Sequence, residues 1–197
     1  MSGHDHPSEH ATSSLNATAV SATLHCLTGC AIGEIVGMLI GTAAGLHAGA
    51  TVAISVTLAF CFGYALSTLP LLRSGLAVGV ALKVVLAADT LSILTMEVVD
   101  NLVMVLIPGA MDAGLVNVVF WLSMGLALTV AFFAAYPVNR ALLRRGKGHA
   151  LTHEYHDGAD PSGARRWIPD ISTGALVAVI VAFLLGGLVV AIADTLT

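Results

Sequence analysis

Charge is what this sequence lacks most: only 10% of its 197 residues are Asp, Glu, Lys or Arg. An ordinary soluble domain carries roughly 25%, so more than half of the charge that keeps a surface in water is missing. Most soluble readings are excluded. Disorder of the bulk of the chain is excluded as well, because it needs low hydrophobicity and high net charge, whereas 57% of the residues are hydrophobic and the formal net charge is -4. Lys and Arg together number eight, too few to neutralise a run of phosphates, so nucleic acid is not a partner. The sequence also has no nucleophile elbow, phosphate loop, HExxH or dinucleotide fingerprint. Its two neighbouring cysteines stand in a CxxxC rather than the CxxC of a thiol oxidoreductase or of haem attachment. An enzyme is therefore the least favoured class, open only through a metal with a free coordination position.

What is present is long apolar sequence. A hydrocarbon core of roughly 30 Å needs about 20 helical residues, and stretches of that length run over 24–46, 50–72, 75–99, 115–136 and 171–193. Backbone groups in lipid must bond internally, and the alternation of barrel strands is missing. The fold class expected is an all-α integral membrane bundle of about five transmembrane helices. The third stretch stays apolar to Ile107, too long for a straight span, so it either tilts and projects or, the favoured reading, breaks near Asp100-Asn101. Residues 1–23, polar and without Lys or Arg, are read as a disordered, uncleaved tail carrying His4, His6 and His10; 24–197 forms one membrane domain with a His-rich loop at 140–170.

Orientation follows from the bias of Lys and Arg towards cytoplasmic loops. Arg140, Arg144, Arg145, Lys147, Arg165 and Arg166 lie between the fourth and fifth spans, and Arg73 lies between the second and third. Both loops are expected in the cytoplasm, with the N-terminus inside, in a bacterial inner membrane. The outer loops near His47 and Pro108 hold no cation.

Glycine recurs at every fourth position along the first span: Gly29, Gly33, Gly37, Gly41 and Gly45, with Gly49 beyond. Such small-xxx-small rows let helices approach closely in lipid, with the partner helix in the same chain or in another. One step on, Cys26, Cys30, Glu34, Met38 and Thr42 share a second face. Residues four apart are surface neighbours, so Cys26 and Cys30, flanked by His25, are placed to share a copper(I) or zinc ion, with Glu34 one turn further. The bland alternative is that buried cysteines are small apolar residues. Glu34 resists that alternative, because an ionisable group inside a span is a functional candidate by default; a pairing with Lys83 is expected. Cys61 is read as packing.

The third span carries Lys83, Thr90, Glu97, Asn101 and Met104 on one line and Asp89, Ser92, Met96 and Asp100 beside it. The lipid side excludes such a face, so Lys83, Asp89, Glu97, Asp100 and Asn101 are expected to line an intramembrane polar path. The alternative is a hydrogen-bonded packing core. In the loop after the fourth span, His149, His153 and His156 project from one face if helical, a spacing that brings imidazoles to one metal; solvated histidines are the alternative.

The run His25-Cys26-Leu27-Thr28-Gly29-Cys30-Ala31-Ile32-Gly33-Glu34, with Pro137-Val138-Asn139 and Arg145-Gly146-Lys147-Gly148-His149-Ala150, resembles the signature of a bacterial integral-membrane family catalogued as a domain of unknown function. The resemblance covers roughly residues 25–156. It implies a helical membrane domain with a shared site involving His25, Cys26, Cys30, Glu34 and His149, and no established activity.

The function expected from these residues is binding or transport of a transition metal, copper or zinc, with a cytoplasmic Cys/His site. Its partners are the lipid bilayer, the metal ion and further copies of the chain, since five short helices leave little room for a gated path. The alternative is an accessory subunit packed on a larger membrane complex through the glycine-rich helix.

Overall fold

The computed structural model describes residues 7–145, 166–169 and 171–196. They form five helices: α1 (Pro7–Ala43), α2 (Ala48–Arg73), α3 (Val78–Leu106), α4 (Val118–Arg144) and α5 (Thr173–Thr195). Each contains a segment long and apolar enough to cross a membrane, from Ser13–Ala43 in α1 to Thr173–Thr195 in α5. No strand occurs among the described residues. The all-α expectation stands, and the protein is a multi-pass membrane bundle.

Helix α1 is the hub. It touches all four other helices, and 61% of its most apolar window is buried, against 11% for α5. It also begins earlier than expected. The segment read as a disordered tail is helical from Pro7, which stands at the first helical position, where its missing N–H costs nothing. Ala19, Ala22 and Thr23 are buried, and the last is held by Asn139 Nδ2, which donates to its Oγ1 over 2.9 Å. Arg140 Nε donates to Asn16 Oδ1 at 2.7 Å. An Ala-, Ser- and Thr-rich stretch has no apolar run to betray it, yet alanine favours the helix and small side chains suit close packing. Helix α4 correspondingly does not end at Pro137 but continues to Arg144.

The glycine row has its partner within the chain. A Cβ at Gly29 would lie 2.5 Å from the backbone of Gly63, one at Gly33 2.1 Å from Ala59 N, one at Gly37 2.4 Å from Ser55, and one at Gly41 2.4 Å from Thr51. Each step of four along α1 meets a step of four backwards along α2, an antiparallel backbone seam that an extra methyl would wedge open. Gly45 is not part of it. At φ +63° and with nothing near its Cβ position, it caps α1, whose last carbonyls accept from Gly45 N (to Thr42 O) and Leu46 N (to Gly41 O). The left-handed conformation of this cap favours glycine. Gly75, at φ 107°, repeats the device after α2.

Helix α3 does not break at Asp100-Asn101. Asn101 Nδ2 donates to Glu97 O within the helix at 2.9 Å, and the helix runs on to Leu106. Ile107 is extended because it precedes Pro108. Arg73 Nη1 reaches Ile168 O at 3.4 Å, so the end of α2 and the start of α5 share one end of the bundle, as the alternation of spans requires.

Gly33→Ala should lower the thermal midpoint of the detergent-solubilised protein by several degrees, for a cost of about 1–3 kcal/mol from overpacking. Gly79→Ala, where a Cβ meets nothing within 4 Å, should leave it unchanged or slightly raised. Equal midpoints for the two variants would show that the seam has slack.

Candidate functional site: a buried row of acids and thiols between α1 and α3

Because α2 returns antiparallel between them, α1 and α3 run parallel, and the inward rows of the two helices meet in register. Cys26 lies beside Asp89 and Ser92, Cys30 beside Glu97, and Glu34 beside Asp100. Met38 and Met104, one turn further along each helix, both line one cavity. The numbering offset stays at 66 or 67 for Cys26 and Ser92, Cys30 and Glu97, Glu34 and Asp100, and Met38 and Met104, as two helices of equal pitch lying side by side require. Cys26, Cys30, Asp89, Glu97, Glu34 and Asp100 are all buried.

Their polar neighbours are few. Cys26 Sγ is 3.7 Å from Ser67 Oγ on α2, and Ser55 Oγ donates to the backbone oxygen of Glu34 at 3.3 Å. Neither carboxylate oxygen of Glu97 has a hydrogen-bond partner among the described residues, and neither does Glu34 Oε1 or Asp100 Oδ1. A buried polar atom without a partner costs about 1–3 kcal/mol, so this cluster works against stability.

Above the cluster opens a cavity of about 220 Å³. Glu34 and Asp100, only 8% and 6% exposed, form its floor, and Met38, Met104 and Met124 form its walls. Met111 and Asp112, exposed in the loop between α3 and α4, stand at its rim with Gly114. The cavity lies at the end of the bundle that holds the α1–α2 turn.

Several expected site residues are placed differently. Lys83 is exposed and lies 17 positions before Asp100 on α3, about 25 Å along the axis at 1.5 Å per residue. It therefore neither pairs with Glu34 nor joins the path. Thr90 also faces outward and bonds Tyr64 at 2.9 Å. Asp89, Glu97 and Asp100 are inward, and Asn101 is half-buried against its own helix. His25 is buried, but its Nδ1 donates to Ser21 O at 2.9 Å. Cys26 and Cys30 fall in the middle third of the α1 span, not at its inner end, because that span begins at Ser13. No three His, Cys, Asp or Glu side chains among the described residues converge closely enough to hold one ion. His149, His153 and His156 lie outside the described residues.

Sequence reasoning missed Met111, Asp112 and Met124 as cavity residues, and Ser67 as the neighbour of Cys26. The loop and α4 residues carry no spacing signal, since only the fold of the α3–α4 connection brings them over Glu34.

The family model for a domain of unknown function, DUF4396, matches residues 15–148, and the chain belongs to that family. The match begins in the part of α1 that packs on α4 and ends one residue short of His149. No curated protein and no solved structure matches the chain.

Glu97→Met should raise the thermal midpoint of the metal-free protein by a few degrees, since about 1–3 kcal/mol of unmet hydrogen bonding is removed and each kcal/mol moves a chain of this size about 2–4 °C. A lowered midpoint would show that the carboxyl group is a structural tie.

Proposed function

We propose that this member of the family binds a transition-metal cation within a bacterial inner membrane and passes it along the seam between α1 and α3. One observation carries the reading: Glu34 and Asp100, over nine-tenths buried and each with an unpartnered oxygen, form the floor of a cavity open at one end of the bundle. Buried acids that lower stability are retained where a ligand satisfies them, and ionisable groups inside a span mark ion pathways.

The donors form a series with a chemical order. Asp112 at the rim attracts a cation; Glu34 and Asp100 neutralise it; Cys30 and Cys26 offer thiol ligands deeper in, the set that suits copper(I) or zinc. A row of stations with at most two such donors each among the described residues, without a closed cage, suits passage, because an ion that moves must be held weakly at several places. His25, beside Cys26 in the same third of the span, is the next donor in the series, and His149, His153 and His156 of the loop between the last two spans are the candidates to receive the ion from it. The accessory-subunit alternative is weakened because α2 fills the glycine row that was to dock a partner.

The test is elemental analysis of the purified full-length protein, stripped and then equilibrated separately with Zn²⁺ and with Cu⁺ under reductant. Wild type should retain on the order of one ion per chain, and Glu34→Gln/Asp100→Asn and Cys26→Ala/Cys30→Ala should bind at least about tenfold more weakly, as expected when groups around a metal are lost. No retained metal in wild type, or equal retention in both variants, would overturn the proposal.

A further inference from the structure

The methionines point to the kind of cation. The chain has six. Apart from Met1, every one lies at the cavity or just beneath it: Met38, Met104, Met111 and Met124 line the cavity, and Met96 lies buried on α3 one turn inward of Asp100. They come from α1, from α3, from the loop that follows it and from α4. The bundle is otherwise filled with Leu, Val, Ala and Ile, and methionine as a gap-filler has no reason to avoid the contacts of α5 or the cytoplasmic half of α2. Two buried carboxyl residues, Glu34 and Asp100, line the same cavity.

Thioether sulfur is a soft, neutral donor that selects copper(I), whereas magnesium, calcium and manganese take oxygen. Zinc is bound by thiolate, imidazole and carboxylate, not by thioether. Resting on the cation reading above, we infer that the cavity is an entry site for a soft monovalent cation of the Cu⁺ or Ag⁺ class. Met38 and Met104 on facing helices act as its first ligands, Met124 completes the wall, and Glu34 and Asp100 supply the balancing charge below. Two thioethers with a nearby carboxylate satisfy such a cation without the three-acid or Cys/His cage that the described residues do not form. Met111, exposed in the loop beside Asp112, is placed to meet the ion first.

The probe is Ag⁺, which needs no reductant, supported by Cu⁺ in competition with a chromogenic chelator, on the full-length protein in detergent. The variant is Met38→Leu/Met104→Leu, which keeps side-chain volume and should keep the fold; an unchanged thermal midpoint and elution volume verify that it does. Affinity for Ag⁺ and Cu⁺ should fall at least about tenfold, the scale of a lost first ligand, while any Zn²⁺ binding that depends on Glu34 stays unchanged. If the folded double-Leu variant binds Ag⁺ as tightly as wild type, the methionine inference is overturned, and Glu34-dependent binding of another cation would leave the broader reading standing. If wild type binds neither Ag⁺ nor Cu⁺ nor Zn²⁺, both fall. Met124→Leu alone should weaken Ag⁺ binding less than the double variant does; the reverse order would move the first ligand from α1 and α3 to α4.

Discussion

The rest of the structure depends on how closely α1 can approach α2. In lipid no hydrophobic force drives helices together, because acyl chains are as apolar as leucine, and association relies on van der Waals contact between surfaces that fit. Four glycines in a row remove four side chains from the contact, so the backbone of α1 rests on Gly63, Ala59, Ser55 and Thr51 of α2. That approach leaves the adjoining face of α1, the one carrying Cys26, Cys30, Glu34 and Met38, turned towards α3 and not towards lipid. Had the seam been wider, Glu34 of α1 would stand further from its counterpart Asp100 on α3.

The consequence is a core that is apolar in bulk yet polar along one line. Ala19, Ala22, Ala127, Ala131 and Ala135 provide close-packed walls, while Asp89, Glu97 and Asp100 stand opposite Cys26, Cys30 and Glu34. A bundle selected only for stability would place leucine at these positions, as it does on the lipid-facing sides of α3 and α5. The polar line is instead confined to one seam, in register on both helices, and opens at one end into a cavity. Confinement, register and opening together distinguish this line from a scatter of buried polar residues.

Much of this was legible in the residues themselves, for different reasons. The five helices follow from apolar length, a property of the chain that packing does not alter. The inward faces of α1 and α3 follow from periodicity, and Glu34, Glu97, Asp89 and Asp100 were marked by the cost of placing such groups in lipid. Lys83 was misjudged in both face and depth, because a seven-residue repeat drifts around a helix of 3.6 residues per turn and says nothing of position along the axis. A side chain near a helix end can face outward and extend towards the interface, and Lys83 lies too far from Glu34 for the two to meet. The helical start of α1 was hidden because alanine, serine and threonine carry no hydropathic signal, and their burial is visible only once Asn139 and Arg140 of α4 are seen against Thr23 and Asn16.

The sequence by itself determined a multi-pass helical membrane protein, with a glycine row needing a close partner and a set of acids and thiols needing shelter from lipid, because composition and periodicity act locally on each helix. Only the tertiary structure decided which helix fills the glycine row, that Glu34 faces Asp100 and not Lys83, and that four methionines from α1, α3, α4 and a loop surround one cavity. Those are pairings between residues far apart in the chain. Their register is set by the backbone contact of α1 with α2 and by the length of the α3–α4 connection, quantities that no single helix carries in its own sequence.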